Sequence, residues 1–152
     1  EKDRMQLKLD KANADSTIDN GATHREIQIL AKAYHRLGNQ QFRDAAIAGV
    51  KYLLRAQYDN GGWPQYYPRP SSYHQHITYN DDAMIGVMNL FHDIVQSSGD
   101  LEFMSDDIRR QCDRALQRGL QCILKTQIRV NGRLTAWCAQ HDDTTLAPAK
   151  AR

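Results

Sequence analysis

The chain is 152 residues long, enough for one domain with its own core, and its 20 basic and 18 acidic residues leave a net charge of +2. Those charges are well mixed, so there is no electrostatic footprint for nucleic acid, and no apolar run approaches the roughly 20 residues of a membrane span. Neither nucleic acid nor a membrane is expected as a partner. A mean hydropathy of −0.69 with 41% hydrophobic residues fits a soluble helical protein. Cys112, Cys122 and Cys138 form neither a CxxC pair nor a zinc-like Cys/His set and read as core thiols. Glu1 in place of methionine, and a final Ala-Pro-Ala-Lys-Ala-Arg without a helix stop signal, suggest a segment of a longer protein.

Residues 1–15 are charged and weakly periodic and form a lead-in. A helix is expected from Thr23, a good N-cap with Glu26 as its capping-box partner. Its core stripe is Ile27, Leu30, Ala31, Tyr34 and Leu37, and Gly38-Asn39 stops it. A second helix runs from about Gln41 to Gln57, with Phe42, Ala45, Ala46, Val50, Leu53 and Leu54 inward. After a loop from Tyr58 to Asn80, a third helix carries Met84, Ile85, Val87, Met88, Leu90, Phe91 and Ile94, apolar around most of its circumference, and ends at Ser97-Ser-Gly-Asp. Asn80 or Asp81 would cap it. The fourth, from about Ser105 to Gln127, buries Ile108, Cys112, Ala115, Leu116, Gly119, Cys122 and Ile123. An irregular region from Val130 follows, with room for a short strand, and Pro148 suits the first turn of a fifth helix that the chain does not complete.

An internal repeat sets the architecture. Gly49-x-x-Tyr-Leu-Leu-Arg-Ala-Gln57 matches Gly119-x-x-Cys-Ile-Leu-Lys-Thr-Gln127 without gaps, at an offset of 70 residues (119 − 49), and an Asn-Gly and a tryptophan follow each copy. Repeated helical pairs stack as an α-solenoid or close into an α/α toroid, and closure gathers the loops of one end on a shared rim.

Asp19-Asn20, Asp59-Asn60, Asn80-Asp81-Asp82 and His141-Asp142-Asp143 all sit in or beside interhelical loops. Carboxylates and amide carbonyls suit a hard cation such as calcium, without an EF-hand spacing; helix capping is the plainer role for any one pair. His74, His76 and His141 are candidate ligands or acid/base groups, although His74-x-His76 beside a proline-rich turn also suits an ordinary surface loop. Trp63, Tyr66, Tyr67, Tyr73 and Tyr79 offer flat faces for sugars or bases, with plugging of the helical core as the alternative for Trp63 and Tyr79. No P-loop, GxGxxG or GxSxG occurs.

Four blocks in order carry a resemblance: Ser16-Thr-Ile-Asp-Asn-Gly-Ala-Thr, Tyr52-Leu-Leu-x-Ala-Gln-Tyr-x-Asn-Gly-Gly-Trp-Pro-Gln-Tyr-Tyr-Pro, His76-Ile-Thr-Tyr-Asn-Asp-Asp-Ala-Met and Trp137-Cys-Ala-Gln-His-Asp-x-x-Thr-Leu-Ala-Pro. Together they resemble the family 10 polysaccharide lyases, pectate lyases with an α/α toroid fold. The resemblance implies calcium-assisted β-elimination of polygalacturonate, with Asp81 and Asp142 in the active centre and Asp82 a further calcium ligand; Asp143 ranks lower. Trp63, Tyr66, Arg69, His76, Tyr79 and His141 are the candidate substrate contacts. The chemistry fits, because a cation on the substrate carboxylate stabilises the charge that develops when the adjacent carbon loses its proton. The implied base is an arginine past residue 152. On this reading residues 16–152 are the N-terminal part of an all-α, partial α/α-toroid catalytic domain of a secreted or periplasmic enzyme, monomeric at full length. The competing readings are a terpene-cyclase-like toroid, suggested by Asp-Asp-Thr-Thr at 142–145 but disfavoured by the polar rim, and a calcium- and carbohydrate-binding module without activity.

Overall fold

The computed structural model describes residues 16–68 and 71–150; the expected lead-in over residues 1–15 and the expected substrate contact Arg69 lie outside the described residues. The described chain is mostly helical, as an all-α fold requires. Its helices are α1 (His24–Leu37), α2 (Gln40–Ala56), α3 (Ala83–Val95) and α4 (Asp106–Thr126). Strands of two residues each punctuate the loops: β1 (Ser16–Thr17), β2 (Tyr66–Tyr67), β3 (Ile77–Thr78), β4 (Arg129–Val130), β5 (Arg133–Leu134) and β6 (Gln140–His141).

α1 packs on α2 and α3 on α4, as two helical hairpins. The first turns at Gly38-Asn39: Gly38 takes the left-handed conformation (φ 65°) and its N–H donates to the Tyr34 carbonyl, while Asn39 accepts from the Gln41 N–H at 2.9 Å to start α2. α4 starts at Ser105, whose hydroxyl accepts from the Ile108 N–H. The expected capping box at α1 is absent. Thr23 sits at φ 65°, ψ −60°, outside the extended region an N-cap needs, and its hydroxyl donates instead to the Thr17 carbonyl at 2.7 Å. Neither Asn80 nor Asp81 caps α3, whose N-cap residue is Asp82 with no side-chain cap bond.

Three residues expected inside lie outside. Leu37 is 70% exposed, because it falls about 80° around the helix from Ile27 and on the last turn. Ala45 and Ile85 are also exposed, on the outer edges of the stripes through Ala46, Val50 and Leu53 and through Met84, Val87, Met88 and Phe91. The fifth helix does not form within the described residues; Pro148 bridges His141 in extended backbone. Cys112 and Cys122 are buried, Cys138 half-buried, and all three are free thiols. Burial pushes the Cys112 thiol up to about 12, which removes it as a nucleophile near neutral pH.

The repeat seen in the sequence is a repeat of hydrogen bonds. After α2, the Trp63 indole N–H donates to the Leu53 carbonyl at 2.8 Å; after α4, Trp137 donates to Ile123 at 2.8 Å, again 70 residues on (123 − 53). Tyr58 N–H meets the Gly62 carbonyl, and Ile128 N–H meets Ala136. Each loop is thus pinned back onto the C-terminal turn of its helix, satisfying carbonyls that helix ends leave open. The second loop is longer by the hairpin β4–β5, which turns on Asn131-Gly132, both left-handed. The tryptophans differ in depth. Trp63 is fully buried, edge-on to Phe91, and Gly119 leaves its Cζ3 room; Trp137 is 42% exposed. Trp63→Ala should therefore cost about 3–5 kcal/mol in denaturant unfolding, with Trp137→Ala costing clearly less; equal losses would contradict this account of the core.

Candidate functional site

Hairpin connectivity brings the N-termini of α1 and α3 to the same end as the C-termini of α2 and α4. The turns Asp19–Gly21 and Asn80–Asp82, which lead into α1 and α3, pack on each other there. β3 pairs antiparallel with β6, Ile77 opposite His141 and Thr78 opposite Gln140. Pro64 bridges Ile77 on one side and Pro148 bridges His141 on the other, so four loop segments lie side by side as a narrow sheet. Tyr79 and Asn80 extend the pairing by donating their N–H groups to the Ala139 carbonyl.

His141 fastens this sheet. It is fully buried; its Nε2 accepts from the Cys138 N–H at 3.2 Å, which places the ring proton on Nδ1, 3.0 Å from the Leu146 carbonyl it donates to. Both ring nitrogens are spent on backbone, so His141 positions the loop. Trp63 is likewise fully buried in the core, the position that the plugging alternative expects. Tyr79 is half-buried, packed edge-on to His141, with its hydroxyl 2.8 Å from Thr126 Oγ1; burial raises its phenol far above the usual range. Tyr66 is half-buried in β2, its ring edge-on to His74.

Directly after β6 the chain closes a tight turn on Asp142. Its Oδ1 accepts from the Thr145 N–H (2.7 Å), the Thr145 hydroxyl (2.8 Å) and the Thr144 N–H (3.1 Å). The Thr145 N–H, then its hydroxyl, then Thr144, hold the carboxyl below the usual carboxylate range. None of these bonds uses Oδ2. Register puts His76, the residue before β3, beside Asp142, the residue after β6. Ligand atoms of His76, Asp142 and Asp143 all lie within 4.8 Å of one another. Asn60 steadies Asp143 from the first repeat, donating its side-chain N–H to the Asp143 carbonyl at 2.5 Å and accepting from the Gly62 N–H. Two carboxylates so close, with an uncommitted oxygen, are the donor type a hard divalent cation takes.

Asp81 and Asp82 lie past the other end of the β3–β6 pairing. Both are exposed and both are left-handed at φ 55°, a conformation uncommon for non-glycine residues. Asn80 donates to Asp81 Oδ2 at 2.6 Å. Asp82 is not grouped with Asp142; it borders a separate cleft lined by His24, Arg25, Gln28, Gly86 and Asn89. Asp19 spends its carboxylate on Gln65 and on the Asn20 N–H, so it acts as a structural brace.

A family model described as pectic acid lyase matches residues 1–152. The chain belongs to the pectic acid lyase family. Two solved structures are similar to it, both at a TM-score of 0.88. One is a family 10 polysaccharide lyase from Cellvibrio cellulosa, 37% identical over 91% of this chain and 43% of that one. The other is a mutant of that lyase in complex with trigalacturonic acid, 36% identical over 91% of this chain and 44% of that one. The chain thus spans less than half the length of these relatives. No curated protein matches it. Family membership leaves the terpene-cyclase alternative without support.

Asp143, ranked lower from the sequence, lies beside Asp142 and His76, and His24 was not among the sequence candidates. Asp143 had no pattern of its own; only Asn60, 83 residues away, fixes its place. His24 left one signal, the isolated Gly86 inside an apolar helix, which marks a close approach. Because the Asp142 carboxyl is depressed by bonds made in the folded turn, that contribution to folding is present above the ordinary aspartate value and fades as pH falls through the folded one. Carbon-detected titration should place Asp142 below 3.8, and Thr145→Val should move it back up; a wild-type midpoint at or above 3.8 would show that the turn does not hold this carboxylate.

Proposed function

We propose that this chain is part of a pectate lyase that cleaves polygalacturonate by calcium-assisted β-elimination, its two helical hairpins forming part of an α/α toroid. The observation that carries the reading is the His76–Asp142–Asp143 group at the end of the β3–β6 pairing, in a chain of this family. The similar lyase in complex with trigalacturonic acid supports an acidic galacturonate polymer as substrate.

The donor set fits calcium: Asp142 Oδ2 and the Asp143 carboxylate are oxygen donors on short, fixed backbone, whereas Asp81 and Asp82 stand outside this group and are kept as active-centre residues on the family resemblance. Calcium, when bound, would neutralise the substrate carboxylate and so ease loss of the proton from the adjacent carbon. The chain's own residues orient that reaction. The Thr144 and Thr145 donors keep Asp142 ionised, and Asn60 holds Asp143 beside it. Exposed oxygens and half-buried Tyr66, Tyr79 and His76 line a polar end suited to sugar hydroxyls. The proton-accepting base is assigned to an arginine beyond residue 152, and a secreted or periplasmic setting follows from a polymeric substrate that cannot cross a membrane.

A form spanning the length of the relatives should release unsaturated, ultraviolet-absorbing product from polygalacturonate at alkaline pH. Chelator or Asp81→Ala should reduce the rate by at least about 100-fold. Full activity in chelator would sink the calcium assignment, and turnover by residues 1–152 alone would overturn the placement of the base.

A further inference from the structure

The face formed by α2 and α4 carries a run of cations that the described residues do not neutralise. On α4, Gln111, Arg114, Arg118, Gln121 and Lys125 recur at intervals of three and four residues, which sets them on one side of the helix over about 21 Å. On α2, Lys51 and Arg55 stand one turn apart, and with Leu54 and Gln111 they line an open hollow of about 320 Å³ between the helices. A second hollow, of about 280 Å³, lies further along α4, where Gln117, Arg118, Gln121 and Lys125 meet Asp59 and Asn60. The end of α2 is tied to α4 between the two: Gln57 donates to the Ala115 carbonyl at 2.8 Å and accepts from Arg118. Lys51, Arg55, Arg114, Arg118 and Lys125 are all exposed, and none of them makes an ion pair with a described residue. Asp107, a turn before the run, is already held by Arg110 and Gln111. Asp59 is the one acid lining either hollow, at the end nearest Asn60.

We propose that this face is a second binding surface for polygalacturonate, separate from the cation site, on which an extended stretch of the polymer lies with its carboxylates against the five cations and its hydroxyls against Gln111, Gln117 and Gln121. The polymer's identity rests on the pectate lyase reading. Guanidinium and ammonium groups answer carboxylates, and side-chain amides both give and accept hydrogen bonds, as sugar hydroxyls do. No aromatic side chain lines either hollow, so bases would have nothing to stack on, and Leu54 is the one apolar lining residue, which leaves a lipid surface without an anchor. Each exposed charge contact is weak by itself, and several along one polymer act together. The face therefore retains long chains and releases short ones. Its run ends at Asn60, whose amide holds the Asp143 carbonyl, so polymer kept here is kept beside the acidic group.

Chelator isolates this face from the cation site. In calorimetry with chelator at low salt, the 152-residue chain should bind polygalacturonate, and should bind trigalacturonate, fully methyl-esterified pectin and polyglutamate at least about 10-fold more weakly. Lys51→Gln, Arg55→Gln, Arg114→Gln and Lys125→Gln combined should weaken polygalacturonate at least about 10-fold. Arg118 is left in place because it bonds Gln57, and the four replaced side chains are exposed and glutamine is a good helix former, so the circular dichroism spectrum should not change. Wild-type affinity in the four-site variant would overturn the surface. Equal binding of esterified pectin, which the wild-type chain reports without any substitution, would overturn it too, and equal binding of polyglutamate would overturn the assignment to a uronate polymer. Should polygalacturonate fail to bind in chelator while trigalacturonate binds in calcium and loses that binding in Asp142→Asn, the surface falls and the lyase reading stands. No binding of either sugar in chelator or in calcium would overturn both.

Discussion

The rim of this molecule depends on one buried imidazole. His141 accepts a backbone N–H on one ring nitrogen and donates to a carbonyl on the other, so the two-residue strand it belongs to is locked against Ile77–Thr78 and against Pro148. Strands this short have almost no pairing energy of their own. They persist because Ile77 is buried beneath Gly62 and because His141 cannot turn without orphaning two backbone groups. From that lock follow the placement of Asp142 one residue on, the Asp142–Ala147 turn, and the meeting of His76 with two carboxylates.

The helical layer supplies the platform. Two hairpins related by a 70-residue repeat end in loops folded back by an indole N–H, and the glutamines at the repeat's close do matching work: Gln57 donates to the Gly61 and Ala115 carbonyls, Gln127 to Thr135. Gln57 also receives Arg118, tying the first loop to α4. Asn60 then reaches across to Asp143. The site is therefore assembled from both repeats, and neither hairpin could present the acidic group alone.

How much of this was legible in the sequence varies with the range of the interaction that decides it. Helix α3 and the Gly38 stop follow from local periodicity and backbone chemistry, and both stand. The repeat, a match of spacing, turned out to encode carbonyl capping as well as packing. Thr23-x-x-Glu26 misled, because the capping pattern is local while Thr23's hydroxyl is claimed by Thr17 through the fold of the entering chain. Trp63 could be read as a sugar face or a core plug, and His141 as a ligand or acid/base group; the depth of both was hidden, because flat or polar side chains in a loop give no sign of burial until the loops pack on each other. Asp142 was singled out by its block of neighbours, whereas its partners His76 and Asp143 depend on a strand register no local pattern announces.

Diffraction from crystals grown with calcium, or with a lanthanide as its anomalous substitute, tests the central claim most directly. The account predicts an ion bound at Oδ2 of Asp142, at carboxylate distances of about 2.3–2.6 Å for calcium, with Asp143 in its shell. An ion that binds elsewhere on the rim and leaves Asp142 untouched would contradict it.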